Sequence, residues 1–186
     1  VEDKVKLDTA LFIYLTDTFR INLKKDVDAV FKEFSLSKNL ADPMGRYLSD
    51  FPTNKIPKLV PLITDFNYGL FQYEVDSVSP AIGIGMEMFM GNKVLYDQLS
   101  VNNSNFSGYV NRTFNKDHLA SKIMQAMASE LVPGPASNKI LDHILYEGKK
   151  LFLVREWMPD LPDSIWFEVT PKQMEWVKKN ELDMWR

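Results

Sequence analysis

The run PAIGIGMEMFMG, residues 80–91, restricts the fold more than any other stretch of the chain. Ile82, Ile84, Met86, Met88 and Met90 alternate with Ala81, Gly83, Gly85, Glu87 and Phe89. A period of two sends successive side chains to opposite faces of a strand, whereas a helix repeats every 3.6 residues. The spacing predicts a strand over 80–90. Gly83 and Gly85 leave one side of it bare, where another backbone can approach closely. An edge position is expected, with Glu87 exposed there as a charge that blocks unwanted strand pairing. A Glu87 turned into a cleft is the competing reading.

Two shorter runs precede it. KLVPLIT (58–64) and YGLFQYEV (68–75) read as strands, with Asp65–Asn67 as the turn between them. Pro61 lacks an N–H for a sheet ladder, so its run belongs at an edge or a bulge. The expected sheet is small and antiparallel, of about three strands within 57–90.

Helical spacing governs the rest. Leu7, Leu11, Phe12, Leu15 and Phe19 form one such series, Val27, Val30, Phe31 and Phe34 a second, and Leu40, Met44 and Leu48 a third. Leu119, Ile123, Met127 and Leu131 mark a helix that Pro133-Gly134-Pro135 stops. Ile140, Ile144, Leu151, Val154 and Met158 mark another that ends at Pro159. A last helix starts near Thr170, where Thr170 and Gln173 stand in capping-box order. The class is α+β, with helices on both sequence sides of the sheet. A single domain over 1–186 is expected: a helical part to residue 50, the sheet at 57–90 and a helical part from 91.

Composition narrows the function. The 186 residues, 45% hydrophobic and 25% charged, suit a folded globular chain. A net charge of −3 without a long basic run argues against nucleic acid as a partner. The absence of Cys excludes disulfides, thiolate metal sites and a Cys nucleophile. The two histidines, His118 and His143, rule out a His-Glu-x-x-His zinc helix. No Gly-x-Ser-x-Gly elbow is present, and the glycines of the 80–91 run lack the third glycine of a phosphate loop. No cofactor motif emerges. His118, at the start of its helix, reads as solvated or capping.

One residue breaks the pattern of the 140–158 helix. Glu147 falls inside the apolar stripe, three residues after Ile144. An ionised carboxylate buried there without a partner costs several kcal/mol, so a partner is expected: His143 one turn back, Lys150 one turn on, or a group from another element. Gly148 beside it lowers helix propensity by about 1 kcal/mol relative to Ala, which suggests tight packing against that turn.

The block Tyr146, Glu147, Gly148, Lys149 is followed by Met158-Pro159, Pro162-Asp163 and a helix with Gln173, Trp176, Asn180, Glu181 and Trp185. Upstream lie Phe66, Asn67, Tyr68, Gly83, Gly85 and Glu87. Together these residues resemble the GldB family of gliding-motility lipoproteins over about residues 45–186. The resemblance implies a cell-envelope protein on the periplasmic side of the outer membrane, lipid-anchored through a removed N-terminal Cys, that supports gliding or protein secretion by binding other envelope components. It implies further helical segments after Arg186. It also implies a distant similarity to zincin-like proteases. On that similarity Met124, Gln125 and Ala128 occupy the places of a zinc helix. Glu147, separated from Ala128 by eighteen residues, stands where one zincin branch has its third ligand, with His143 close by. Met124 and Ala128 hold zinc poorly and Gln125 is no general base, so a pseudoenzyme without metal or cofactor is expected. The alternatives are a hydrolase that works through Glu147, His143 and Glu87, and a module that takes up a peptide along the 80–90 edge strand.

Overall fold

The computed structural model describes residues 2–76, 79–91 and 108–184. The chain groups into two compact units that interleave in sequence, residues 1–35 with 57–116 and residues 36–56 with 117–186. The helical N-terminal part is therefore shared between the two.

The first unit opens with α1 (Glu2–Thr16) and α2 (Thr18–Phe31). Asp17 caps α2 by accepting a hydrogen bond from the Arg20 N–H at 3.0 Å, which satisfies one orphan donor of the first turn. Leu23 and Val27 of α2 are buried with Met90, and Val30, Phe31, Ile63, Phe66 and Met86 pack on that cluster. The apolar series of α1 does not join it. Leu7, Leu11, Phe12 and Leu15 of α1 are all exposed, as is Phe19, which lies beyond the Asp17 cap in α2, so the spacing located helix but neither its break nor what its side chains face.

The sheet comprises β1 (Lys58–Leu62), β2 (Leu70–Val75) and β3 (Ser79–Gly85) in the order β1-β3-β2. Three expectations are corrected here. The sheet is mixed, because β1 runs parallel to β3 and only β2 runs antiparallel to it. The run at 80–90 is central and not an edge. Ala81 through Gly85 are buried on both faces, and a strand covered on both faces reads as a continuous apolar run. The strand also ends early: after Gly85 the chain turns into a 3₁₀ helix, Met86–Phe89. Pro61 does sit on an edge strand, as its missing N–H requires. The bare side of Gly83 is covered by the Phe71 ring across the β2–β3 pair. Helix α4 (Gly108–Thr113) closes the unit, and Phe114 stacks on Phe89 at 5.3 Å.

The second unit contains α3 (Leu36–Asp50), α5 (Lys116–Leu131), α6 (Ile140–Trp157), α7 (Asp163–Trp166) and α8 (Pro171–Met184). Leu40, Met44 and Tyr47 of α3 are buried, as are Leu119, Ile123, Met124, Met127 and Ala128 of α5. His118, expected in solvent, is buried as well. The fully buried Trp157 of α6 meets Tyr47 edge-on at 5.4 Å, and its indole N–H donates to Asp50 at 3.0 Å. A buried indole needs such an acceptor, and Asp50 at the end of α3 supplies it.

The capping box of α8 forms as the sequence predicts. Thr170 N–H donates to Gln173 Oε1 at 2.9 Å, and Gln173 N–H donates to Thr170 Oγ1 at 3.2 Å. Thr170→Ala removes about 1 kcal/mol of helix stability. Because α8 buries no residue, the expected readout is faster amide exchange in α8 at an unchanged global urea midpoint.

Candidate functional site

The family-like residues of the first unit converge on the loop between β1 and β2. Asp65 and Phe66 there have φ of +54° and +60°. Non-glycine residues enter that left-handed region only when their surroundings hold them there. Glu87 provides the hold. It is fully buried, and its Oε1 accepts hydrogen bonds from Thr64 N–H at 2.6 Å, Thr64 Oγ1 at 2.6 Å and Phe66 N–H at 3.1 Å. Neither an exposed edge charge nor a cleft-facing acid describes it. The 3₁₀ turn that ends β3 carries this carboxylate to the loop. Asn67 closes the loop from inside, its side-chain amide donating to Thr64 C=O at 2.8 Å.

Gly85 lets the loop sit this close. Its N–H donates to Gly69 C=O at 2.9 Å, and a Cβ on Gly85 would lie 1.9 Å from the Tyr68 carbonyl oxygen. Its φ of −73° suits any residue, so space and not conformation demands glycine.

The outer side of the loop is held by charge. Arg20 Nε lies 3.0 and 2.9 Å from the two Asp65 carboxylate oxygens, and a second guanidinium nitrogen reaches one of them at 2.5 Å. Such a fork fixes direction as well as distance. The Asp65 hydrogen bond raises the Arg20 pKa further. The Tyr14 ring lies beneath the guanidinium at 4.3 Å, and its hydroxyl donates to the Ile63 carbonyl. Burial, then Asp65, push the Tyr14 phenol above its ordinary value, against the opposing pull of Arg20.

The second unit holds the residues of the zincin comparison, and it does not assemble them as that comparison requires. Met124 and Ala128 are fully buried core residues. The Gln125 amide lies 3.5 Å from both Ser121 Oγ and Glu168 Oε1. His143 is exposed. The Glu147 side chain is 57% exposed and pairs with Lys150 at 2.8 Å, one of the partners expected for it. The stripe that holds Glu147 is divided: Ile140 and Ile144 are exposed, Leu151 is half-buried, and Val154 and Met158 are buried. Glu147 is thus not the buried carboxylate that a vestigial metal ligand should be. Among the described residues no three of His, Asp and Glu gather as a ligand set.

Gly148 likewise departs from expectation. Nothing lies within 4 Å of where its Cβ would be, so no residue packs against that turn. Gly148→Ala then only gains helix propensity. The expected result is a stabilisation of about 0.5–1 kcal/mol, seen as a rise of about 2–4 °C per kcal/mol in the thermal midpoint.

The ion pair of Lys122 with Glu168 was not anticipated. Their charged atoms lie 2.6 Å apart with both side chains largely buried, and Glu168 has φ of +58°. Nothing local in sequence joins residues 46 apart. A buried pair of this kind fixes geometry more than it adds net stability. Among the described residues, no helix is long and apolar enough to cross a membrane.

Comparison with protein families gives a match to the model described as gliding motility protein GldB, over residues 2–186. Comparison with curated proteins and with solved structures gives no match. Since that family match spans nearly the whole chain, the protein belongs to the GldB family of gliding-motility lipoproteins.

Proposed function

We propose that this chain acts without catalysis, as an envelope lipoprotein on the periplasmic side that supports gliding, or the secretion associated with it, by binding other envelope components. Family membership supports the process and the compartment. The non-catalytic part rests on one observation: both acids that a hydrolase reading needs are already engaged. Glu87 is buried beneath the Thr64–Phe66 backbone, and Glu147 lies in a surface ion pair with Lys150. A general acid or base must reach the atom it serves, and the Glu87 carboxylate, enclosed beneath the β1–β2 loop, does not. Strand addition along β3 is blocked, because β1 and β2 pair with both of its edges.

The test is complementation in cells that lack the chain. Wild type and Glu147→Gln are expected to restore gliding equally and to fractionate with the envelope. Loss of gliding with Glu147→Gln at normal protein levels would speak for chemistry at that residue.

A further inference from the structure

We propose that the segment from Asp163 to Thr170 is a strap over a polar row of α5, and that the Lys122–Glu168 ion pair is its latch. The proposal is independent of the motility reading. His118, Ser121, Lys122 and Gln125 stand three or four residues apart on α5, so they share one face of it. A row of polar side chains on a helix ordinarily faces water. Here His118 and Ser121 are buried and the Lys122 side chain is only 11% exposed. The strap covers the middle of the row. Glu168 Oε1 lies 2.6 Å from Lys122 Nζ and 3.5 Å from Gln125 Nε2, and the same amide nitrogen lies 3.5 Å from Ser121 Oγ.

The hold of the strap is narrow. Between residues 161 and 170 only Trp166 and Glu168 are buried. Phe167, between them, stacks on Trp166 at 3.7 Å and is still 40% exposed. Glu168 has φ of +58°, a left-handed conformation that a residue with a Cβ keeps only under constraint. Release removes that strain. It also returns both charges to water, which offsets much of the attraction lost with the pair. A segment with one buried apolar anchor and these two compensations opens as a local unit, at a lower cost than unfolding the chain. Opening uncovers an ammonium, an amide and a hydroxyl on one face of α5. The latch thereby decides whether that helix presents a polar surface or a closed one.

The experiment uses a thiol as a reporter behind the strap. The chain has no Cys, so Ser121→Cys introduces a single thiol at a fully buried position. Its reaction with an aromatic disulfide reagent is followed in the purified chain. Labelling is expected to be slow, and to change little with urea below the unfolding transition, because strap opening exposes little surface. Adding Lys122→Met or Glu168→Ala is expected to speed labelling by about tenfold or more, with the same shallow urea dependence. Far-ultraviolet circular dichroism shows which variants are folded, and either latch variant alone suffices for the comparison. Labelling that the latch variants leave unchanged overturns the proposal. So does labelling that climbs steeply with urea in every protein, because the thiol is then reached only through global unfolding. Immediate labelling of Ser121→Cys with the latch intact also overturns it, because nothing then covers the row.

Discussion

Glu87→Ala lowers the free energy of unfolding by about 3–5 kcal/mol, which urea denaturation reads as a large fall in midpoint. The substitution removes the acceptor for two backbone N–H groups and one hydroxyl. Each of the two backbone N–H groups left without an acceptor costs about 1–3 kcal/mol, the Thr64 hydroxyl keeps the Tyr68 carbonyl at 3.0 Å, and the missing side chain leaves a cavity besides. The left-handed pair at Asp65 and Phe66 then loses its inner hold, so Phe66 is released from the cluster around Leu23, Val27 and Met90. Glu87→Gln separates geometry from charge. It keeps the Oε1 acceptor but replaces charge-assisted bonds with neutral ones, and about 1–2 kcal/mol is expected. Equal losses for the two variants would mean that charge, and not the acceptor position, holds the loop.

Gly85→Ala is the second large effect, a loss of at least about 3 kcal/mol. Overpacking of a core ordinarily costs about 1–3 kcal/mol because neighbouring side chains give way. Here the obstacle is backbone. The new Cβ would lie 1.9 Å from the Tyr68 oxygen and 2.7 Å from Thr64 Oγ1, while the Gly85 N–H holds Gly69 at 2.9 Å. Loop and strand must part, and the hydrogen bond to Gly69 breaks with them. Gly83→Ala offers a contrast, since its obstacle is the Phe71 ring at 2.2 Å, a side chain that can rotate away. The smaller loss is therefore expected at Gly83, with both variants read in the same denaturation series.

Where the determinants are local, the sequence is a good guide. Thr170 and Gln173 are three residues apart and form the capping box their spacing specifies. Pro61 lacks an N–H and lies on an edge strand. Asp65–Asn67 form the expected turn. The failures share a physical cause, which is that pattern does not name a partner. Alternation of Ile and Gly is the same on an edge strand and a central one, so the place of β3 in the sheet was not legible. Its early end depends on Glu87 reaching amides 21 and 23 residues away. The apolar stripe of α6 has one period throughout, yet only its end at Val154 and Met158 meets the core, and Glu147 lies on the part that faces solvent. Glu168 gave no local sign of its left-handed backbone or of its pairing with Lys122.

On the function proposed, the acids singled out by sequence, Glu87 and Glu147, do not perform chemistry. Hydrolysis of a mixed peptide library by purified wild-type and Glu147→Gln proteins, with and without added zinc, tests it most directly. The expected result is turnover no faster than buffer for both proteins under both conditions. Turnover by the wild type that Glu147→Gln removes would contradict it.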